Sequence, residues 1–134
     1  MSRTELSQQI RVIFGDTDAI GVVYYANYFR YFEVGRAELM RHLGKSYVDF
    51  QALGYDLPVL KSYCEHKSFA RYDEILTMVT DVELLSKARV RYNYRLTNSD
   101  GKLVARGYTE HCTIDKQGKV VAIPQAFLDL INQK

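Results

Sequence analysis

The sequence is poor in residues that support several common kinds of protein chemistry. Its 134 residues include no tryptophan, two cysteines, two prolines and three histidines. Cys64 and Cys112 form no CxxC pair, and no histidine spacing completes a metal-binding set around them. The sequence therefore predicts no metal site, and two reduced, mostly buried thiols of the kind found in cytoplasmic proteins.

Long apolar runs and a strong net charge are also missing. No run approaches the roughly 18 apolar residues that a membrane-spanning helix needs, and the polar start has no apolar region typical of a signal peptide. The net charge of +2 does not favour nucleic acid or an anionic membrane as a partner. We therefore expect one cytoplasmic domain over residues 1–134, with no nucleic-acid binding and no membrane insertion.

Hydrophobic periodicity predicts one long helix followed mainly by strands. Apolar residues recur at helical spacing over 26–43, and Gly44 is a suitable stop. Gly35 lowers helix propensity by about 1 kcal/mol relative to alanine, which indicates close packing of this helix against a sheet. The predicted strands are 6–14, 59–70, 75–85, 88–97, 103–114 and 120–122, with short helices at 47–53 and 125–132. This order predicts an α+β fold in which an antiparallel sheet packs on one main helix.

The segment FGDTDAIGVVYYANYFRYFEVGR, residues 14–36, is the most informative part of the chain. Asp16 and Asp18 end a strand-like run, and a glycine-containing turn leads from them into an aromatic helix. A carboxylate there can act as base or nucleophile, while the free N–H groups of a helix N-terminus can stabilise an oxyanion. The same aspartates could also be ordinary turn and N-cap residues.

The combination D-x-D, A-x-G-V-V-Y, N-Y and a later E-x-x-R resembles the 4-hydroxybenzoyl-CoA thioesterase family of hotdog-fold proteins, which includes acyl-CoA thioesterases of the Tol-Pal-associated type. The resemblance is strongest over residues 11–41 and continues more loosely through 68–76 and the later strands. It implies an antiparallel sheet wrapped around a central helix, and an acyl-CoA substrate without a further cofactor. It also implies homodimers that pair into tetramers, with active sites at the dimer interface.

The resemblance implies roles for several residues of the motif. Asp18 matches the catalytic carboxylate, and Asp16 matches the second acidic position, which is more often structural. Tyr25 matches the position whose backbone N–H polarises the thioester carbonyl, and Gly21 matches a turn glycine that lets the backbone approach. Many relatives of the Tol-Pal-associated type carry histidine where this chain has Tyr25, so the N–H is retained but any imidazole role is lost.

Substrate contacts outside the motif have competing interpretations. Lys87 and Arg89 fall where relatives place basic contacts to CoA, but they also fit a solvated strand face, and Arg71 is a weaker candidate. Ser68 could touch the acyl group or occupy an ordinary strand position. The tyrosines at 24, 28 and 31 could line an acyl pocket or pack in the core.

The remaining histidines and helix carboxylates suggest mainly structural roles. His111 lies in a predicted strand and faces the same way as Thr109 and Thr113, as a lone structural histidine would. Glu33, together with Arg36, suggests an internal ion pair or a group on a pocket wall. No G-x-S-x-G elbow is present, which argues against serine-hydrolase chemistry of that type.

Thioester hydrolysis to a free acid and CoA is the activity that the resemblance implies. A thiol leaving group has a pKa of about 8.5, so no strong general acid is needed. Asp18 could attack the carbonyl to form a mixed anhydride, or it could activate a water molecule. The sequence leaves the acyl group open. Alternatives are a non-catalytic protein that binds acyl thioesters, a hydrolase of acyl carrier protein thioesters, and a hydratase, which would need a histidine near Asp18.

Overall fold

The computed structural model of the protein describes residues 4–132 and contains one long helix beside a single antiparallel sheet. The predicted order of elements is confirmed. The helices are α1 (Asn27–Leu43), α2 (Tyr47–Ala52) and α3 (Gln125–Ile131), and a 3-10 turn covers Phe14–Asp16. The strands are β1 (Glu5–Arg11), β2 (Val59–His66), β3 (Ile75–Leu84), β4 (Arg89–Thr97), β5 (Leu103–Ile114) and β6 (Val120–Val121).

The sheet presents one apolar face to helix α1. Its strand order is β1-β3-β4-β5-β2, with β6 paired to β5, and every pairing is antiparallel. The alternation predicted for β4 is present, since its apolar positions are buried and include Tyr94, whose ring stacks on Phe32 of α1 at 4.2 Å. Strands β1 and β2 form the two edges of the sheet, where a second copy could pair.

Two predicted strands end earlier than expected, for reasons that lie in tertiary contacts. Strand β1 ends at Arg11 instead of continuing to residue 14, because the chain turns when Asp16 accepts the N–H of Ile13 at 3.4 Å. Strand β2 ends at His66 instead of 70, because the N–H groups of residues 67 and 68 both donate to the carbonyl of Val104. Beyond these ends the chain leads into the two segments that border the candidate site, where the N–H of Val23 donates to the carbonyl of Ala70.

Gly35 lies where helix α1 crosses strand β3. A Cβ atom at this position would lie 2.5 Å from Oγ1 of Thr80 and 2.6 Å from Cε of Met78. Both residues are fully buried, so neither side chain can move into solvent. The close packing expected from a glycine inside the helix is therefore confirmed.

Gly35→Ala is expected to lower the free energy of unfolding by about 2 kcal/mol. Overpacking costs about 1–3 kcal/mol, and contacts this short belong at the upper end, while replacing a helical glycine by alanine returns only about 1 kcal/mol. Urea denaturation measures the difference, with Gly15→Ala as control because a Cβ there meets nothing within 4 Å. A Gly35→Ala protein as stable as the wild type would show that the contact is not limiting.

Candidate active site

Asp16 is a buried carboxylate that holds the turn against the helix. Its Oδ2 accepts the hydroxyl proton of Tyr31 at 2.8 Å, and its Oδ1 accepts from the guanidinium of Arg30. Its carbonyl accepts the N–H of Tyr24 and the side-chain amide of Asn27, both at 2.9 Å. Burial, followed by the bond to Asp16, raises the pKa of the Tyr31 hydroxyl. Every oxygen of Asp16 is thus engaged in fixing the helix start.

Asp18 has a different geometry, with one carboxylate oxygen fixed and the other available. Its Oδ1 accepts the N–H groups of Ile20 at 2.9 Å and Val22 at 3.4 Å. Its Oδ2 accepts no hydrogen bond from residues 4–132. The turn closes with the N–H of Gly21 on the Asp18 carbonyl at 3.0 Å, and Gly21 has a φ of 86°, which glycine adopts without strain. The turn therefore orients a partly exposed carboxylate and leaves its Oδ2 without a hydrogen bond from the described residues.

The start of helix α1 offers two backbone donors. The chain already coils before Asn27, since the N–H of Asn27 donates to Tyr24 and that of Tyr28 donates to Tyr25. The N–H groups of Tyr25 and Ala26 donate to no acceptor within residues 4–132, as expected for the first turn of a helix. They lie at the positive end of the helix dipole, where a developing negative charge is stabilised. Tyr25 is 62% exposed.

Backbone pairing joins the Asp18 turn to the helix start. Thr17 and Val23 form an antiparallel bridge, and the N–H of Asp18 donates to the carbonyl of Val22 at 2.9 Å. The N–H of Val23 in turn donates to Ala70 at 2.8 Å. The turn that carries Asp18 is therefore joined by backbone hydrogen bonds to the segment that leads into the helix, and the roles of Asp18, Gly21 and Tyr25 stay predictions.

Ser68 lies in the segment that borders this turn, two residues before Ala70. It is not part of a strand, which corrects the predicted strand position. Its hydroxyl donates to the carbonyl of Leu103 at 2.8 Å, so its proton is used while its oxygen can still accept. A contact between Ser68 and substrate stays a prediction, now restricted to this accepting oxygen.

Arg71 comes closer to the site than the sequence indicated. It forms a bridge with Val22, and its Nη1 lies 3.8 Å from the place that a Cβ on Gly21 would take. The space that glycine leaves at this turn is therefore bordered by a guanidinium. Arg71 is the basic residue that the fold brings beside the turn.

Lys87 and Arg89 lie at the opposite end of the sheet. Strand β3 begins at Ile75, which pairs with Arg11 near the site, and it runs for ten residues before the turn that holds Lys87. Ten residues of strand span about 30 Å. One protomer thus does not bring Lys87 or Arg89 next to Asp18, and their contact with the CoA phosphates stays a prediction.

His66 is a neighbour of the site that the sequence analysis missed. Its ring centroid lies 6.5 Å from that of Tyr25 and 5.3 Å from that of Tyr28, and its Nδ1 lies 3.9 Å from Sγ of Cys64. No histidine is close to Asp18 along the chain, but strand β2 brings one beside the helix start. Burial raises the pKa of the Cys64 thiol to about 11, so this thiol is protonated at neutral pH.

The described part of the chain has neither a membrane-spanning helix nor a cluster of metal ligands. Between residues 4 and 132, no helix combines the length and apolar character needed to cross a membrane. The same residues contain no group of three or more histidine, cysteine, aspartate or glutamate side chains placed to hold a metal ion.

Comparison with known proteins identifies the family. Residues 12–131 match the family model described as the thioesterase-like superfamily. The chain belongs to this superfamily. A protein of Aquifex aeolicus (strain VF5), named as an esterase, is 37% identical over 121 residues, which cover 90% of this chain and 93% of that protein.

Two further members of the superfamily carry more specific names. The acyl-CoA thioesterase YbgC of Haemophilus influenzae is 31% identical, over 87% of this chain and 86% of its own length. The crystal structure of a DHNA-CoA thioesterase from Staphylococcus aureus superposes with a TM-score of 0.86 at 32% identity, covering 93% of this chain and 85% of that chain. The predicted hotdog fold and the resemblance to acyl-CoA thioesterases are confirmed.

Proposed function

We propose that the protein hydrolyses an acyl-CoA thioester to the free acid and CoA, with the Asp18 carboxylate and the Tyr25 N–H as its catalytic groups. The prediction that the chain is a thioester hydrolase is confirmed by its family and its named relatives. The observation that supports the proposed site is that a turn with an available carboxylate oxygen is joined by backbone hydrogen bonds to the segment that leads into free helix N–H groups. No further cofactor is proposed.

The geometry is compatible with two mechanisms of thioester hydrolysis. In the first, Asp18 attacks the thioester carbonyl, the CoA thiolate leaves, and water hydrolyses the resulting mixed anhydride to acid and free Asp18. In the second, Asp18 takes a proton from a water molecule as that water attacks the carbonyl, and the proton then passes to the CoA thiolate as the C–S bond breaks. Each route consumes one water and passes through an oxyanion that the Tyr25 N–H would stabilise, by about 3 kcal/mol judged from other acyl-transfer enzymes.

The surface around the turn supports a shared site between subunits. Large apolar residues near Asp18 in the chain or beside Arg71 are exposed, and two of them, Phe14 and Tyr72, are in contact, an arrangement more typical of an interface than of a monomer surface. They are Phe14, Ile20, Tyr25, Phe69 and Tyr72. We therefore propose a homodimer with these residues at its interface and with edge strands paired, and dimers that pair into tetramers. We also propose that residues 1–134 form a single cytoplasmic domain.

The CoA phosphates would need cations, and the dimer proposal supplies them from a second subunit. We expect the double variant Lys87→Ala with Arg89→Ala to raise KM for an acyl-CoA by about a hundredfold or more, since each charged hydrogen bond contributes about 1.5–3 kcal/mol. The KM for the matching acyl-pantetheine thioester, which lacks these phosphates, should not change. An equal rise for both substrates would mean that the two residues act on folding or assembly instead.

Tyr25→Phe is expected to keep at least about half of the wild-type kcat. The proposed donor is the backbone N–H, which phenylalanine retains, and its worth of about 3 kcal/mol in related chemistry would stay in place. Initial rates of thiol release provide the measurement. A loss of a hundredfold or more would move the catalytic role to the Tyr25 hydroxyl.

The alternative functions concern the carrier and turnover. The chain could act on acyl carrier protein thioesters, or it could bind acyl thioesters without cleaving them. A panel of aromatic, short-chain and long-chain acyl-CoAs, tested beside the matching carrier-protein thioesters, separates these functions by the thiol released. Release from at least one acyl-CoA supports the proposal, while release only from carrier-protein thioesters, or binding without release, contradicts it.

A further inference from the structure

A cavity lies along helix α1, away from Asp18. Its volume is about 350 Å³, within the range of small-molecule pockets. Glu33, the lining residue nearest to Tyr25 along the helix, is eight residues beyond it, which corresponds to about 12 Å along the helix axis. A short acyl group whose carbonyl lies at Tyr25 would not reach it. The lining residues are Glu33, Arg36, Ala37, Met40, Tyr47, Leu57, Tyr92 and His111.

The hydrogen bonds behind the cavity have a fixed direction. The carbonyl of Leu57 can only accept, so Nδ1 of His111 donates to it at 3.0 Å and Nε2 must accept from Thr109 at 2.8 Å. The Thr109 hydroxyl therefore accepts from Tyr94 at 2.6 Å, and Tyr94 accepts from Nη1 of Arg36 at 3.4 Å. Burial lowers the pKa of His111 to about 4, which keeps its ring neutral at pH 7. The structural role expected of His111 fits this network.

Tyr92 is the exception among the polar groups of this wall. Its side chain is 2% exposed and borders the cavity. Its hydroxyl has no hydrogen-bond partner within residues 4–132, although buried hydroxyl groups normally find one. Burial raises its pKa, so the hydroxyl stays protonated and remains a donor. A nearly buried donor that borders an open space indicates a ligand that accepts a hydrogen bond.

Arg36 adds a loosely paired positive charge to the same space. Its Nη2 lies 3.9 Å from Oε1 of Glu33, whose side chain is 70% exposed, while the Arg36 side chain is 21% exposed. A guanidinium has five donors, and the contact to Tyr94 engages only one nitrogen. Its planar donor fork matches the two oxygens of a carboxylate.

We propose that this cavity binds a small organic carboxylate, held by the guanidinium of Arg36 and the hydroxyl of Tyr92. Glu33 lies at the rim beside Arg36, where it competes with the ligand for the same charge. The apolar side chains of Met40 and Leu57 contact the hydrocarbon part of the ligand. Binding of a carboxylate here involves no cleavage of a thioester, so it can be tested with the carboxylate alone.

Titration with benzoate, followed by NMR of the His111 ring and the Arg36 side chain, tests the proposal. Benzoate should shift both sets of resonances in a saturable way, and benzamide, which has the same shape without the charge, should bind at least about tenfold more weakly. Equal binding of the two probes would overturn the proposal. So would shifts confined to Asp18 and Tyr25, or no shift with benzoate.

Four variants assign the roles of the residues. Arg36→Gln should weaken benzoate binding by about tenfold or more, and Tyr92→Phe by about fivefold. Glu33→Gln should tighten it, because a competing carboxylate is removed. Arg41→Gln, which removes an exposed arginine paired with Glu38 on the same helix, is the matched control and should bind as the wild type does.

The Tyr92→Phe variant also gives a readout apart from binding. Because the Tyr92 hydroxyl has no partner in the described chain, its removal should leave resistance to urea unchanged or raise it. A clear loss of stability would mean that the hydroxyl serves the fold, and wild-type benzoate affinity in Tyr92→Phe or Arg36→Gln would overturn the proposed ligand contacts.

Discussion

Asp18→Asn is expected to lower kcat by about 10²–10⁴-fold, the usual contribution of a positioned acid or base. Asparagine keeps a side-chain oxygen that can accept the N–H groups of Ile20 and Val22, so the turn should survive. It loses the negative charge that either attacks the carbonyl or takes a proton from water. Thiol release gives kcat, and calorimetry with the uncleaved acyl-CoA should show that binding remains.

The chain contains a matched control for this prediction. Asp115 also accepts two backbone N–H groups through one oxygen, from Gln117 and Lys119 at 2.9 Å each. Asp115→Asn therefore makes the same chemical change in the same kind of turn, far along the chain from the proposed site, and should keep wild-type kcat. If Asp18→Asn retained full activity, the proposed mechanism would be wrong.

Asp16→Asn is expected to lower the free energy of unfolding by about 3 kcal/mol, the lower end of the cost of breaking a buried ion pair, because Arg30 is half exposed. The amide carries no charge for Arg30, and it cannot replace both carboxylate oxygens as an acceptor. The two substitutions in one motif should thus have different effects. Asp18→Asn should lower kcat, and Asp16→Asn should lower the free energy of unfolding. Urea denaturation measures the second effect.

Asp73→Asn provides the comparison for Asp16. Asp73 pairs with Arg11 at 3.1 Å, but both side chains are more than half exposed, and exposed ion pairs typically contribute only about 0–1 kcal/mol. The expected loss is therefore small. Equal losses for Asp16→Asn and Asp73→Asn would show that burial of Asp16 does not govern its role.

The sequence was sufficient for the elements of the fold because their signals are local. Period-two alternation gave strand β4 almost to the residue, and Gly44 correctly marked the end of helix α1. The ends of β1 and β2 were misplaced, since they depend on a carboxylate bond at Asp16 and on the distant carbonyl of Val104. Such contacts leave no periodic trace in the chain.

The same distinction applies to the site. Asp18, Gly21 and Tyr25 lie within eight consecutive residues, so one motif could predict their grouping. His66 lies beside the helix start, and Arg71 pairs with Val22 in the turn. Both positions depend on strand β2 returning beside this segment, which no local sequence pattern reveals. Lys87 and Arg89 show the converse, since a family resemblance assigned them to the substrate while the length of β3 separates them from Asp18 within one protomer.

The Tyr25 amide in the Asp18→Asn protein reports on the proposed oxyanion contact. An acyl-CoA that the wild type hydrolyses is added to this variant, and two-dimensional ¹H–¹⁵N spectra are recorded before any turnover. We predict a large downfield shift of the Tyr25 amide proton as it binds the thioester carbonyl, together with an intact substrate. An unshifted Tyr25 amide in the saturated complex would show that this N–H does not bind the carbonyl. Rapid hydrolysis by the variant would show that the Asp18 carboxylate is not required.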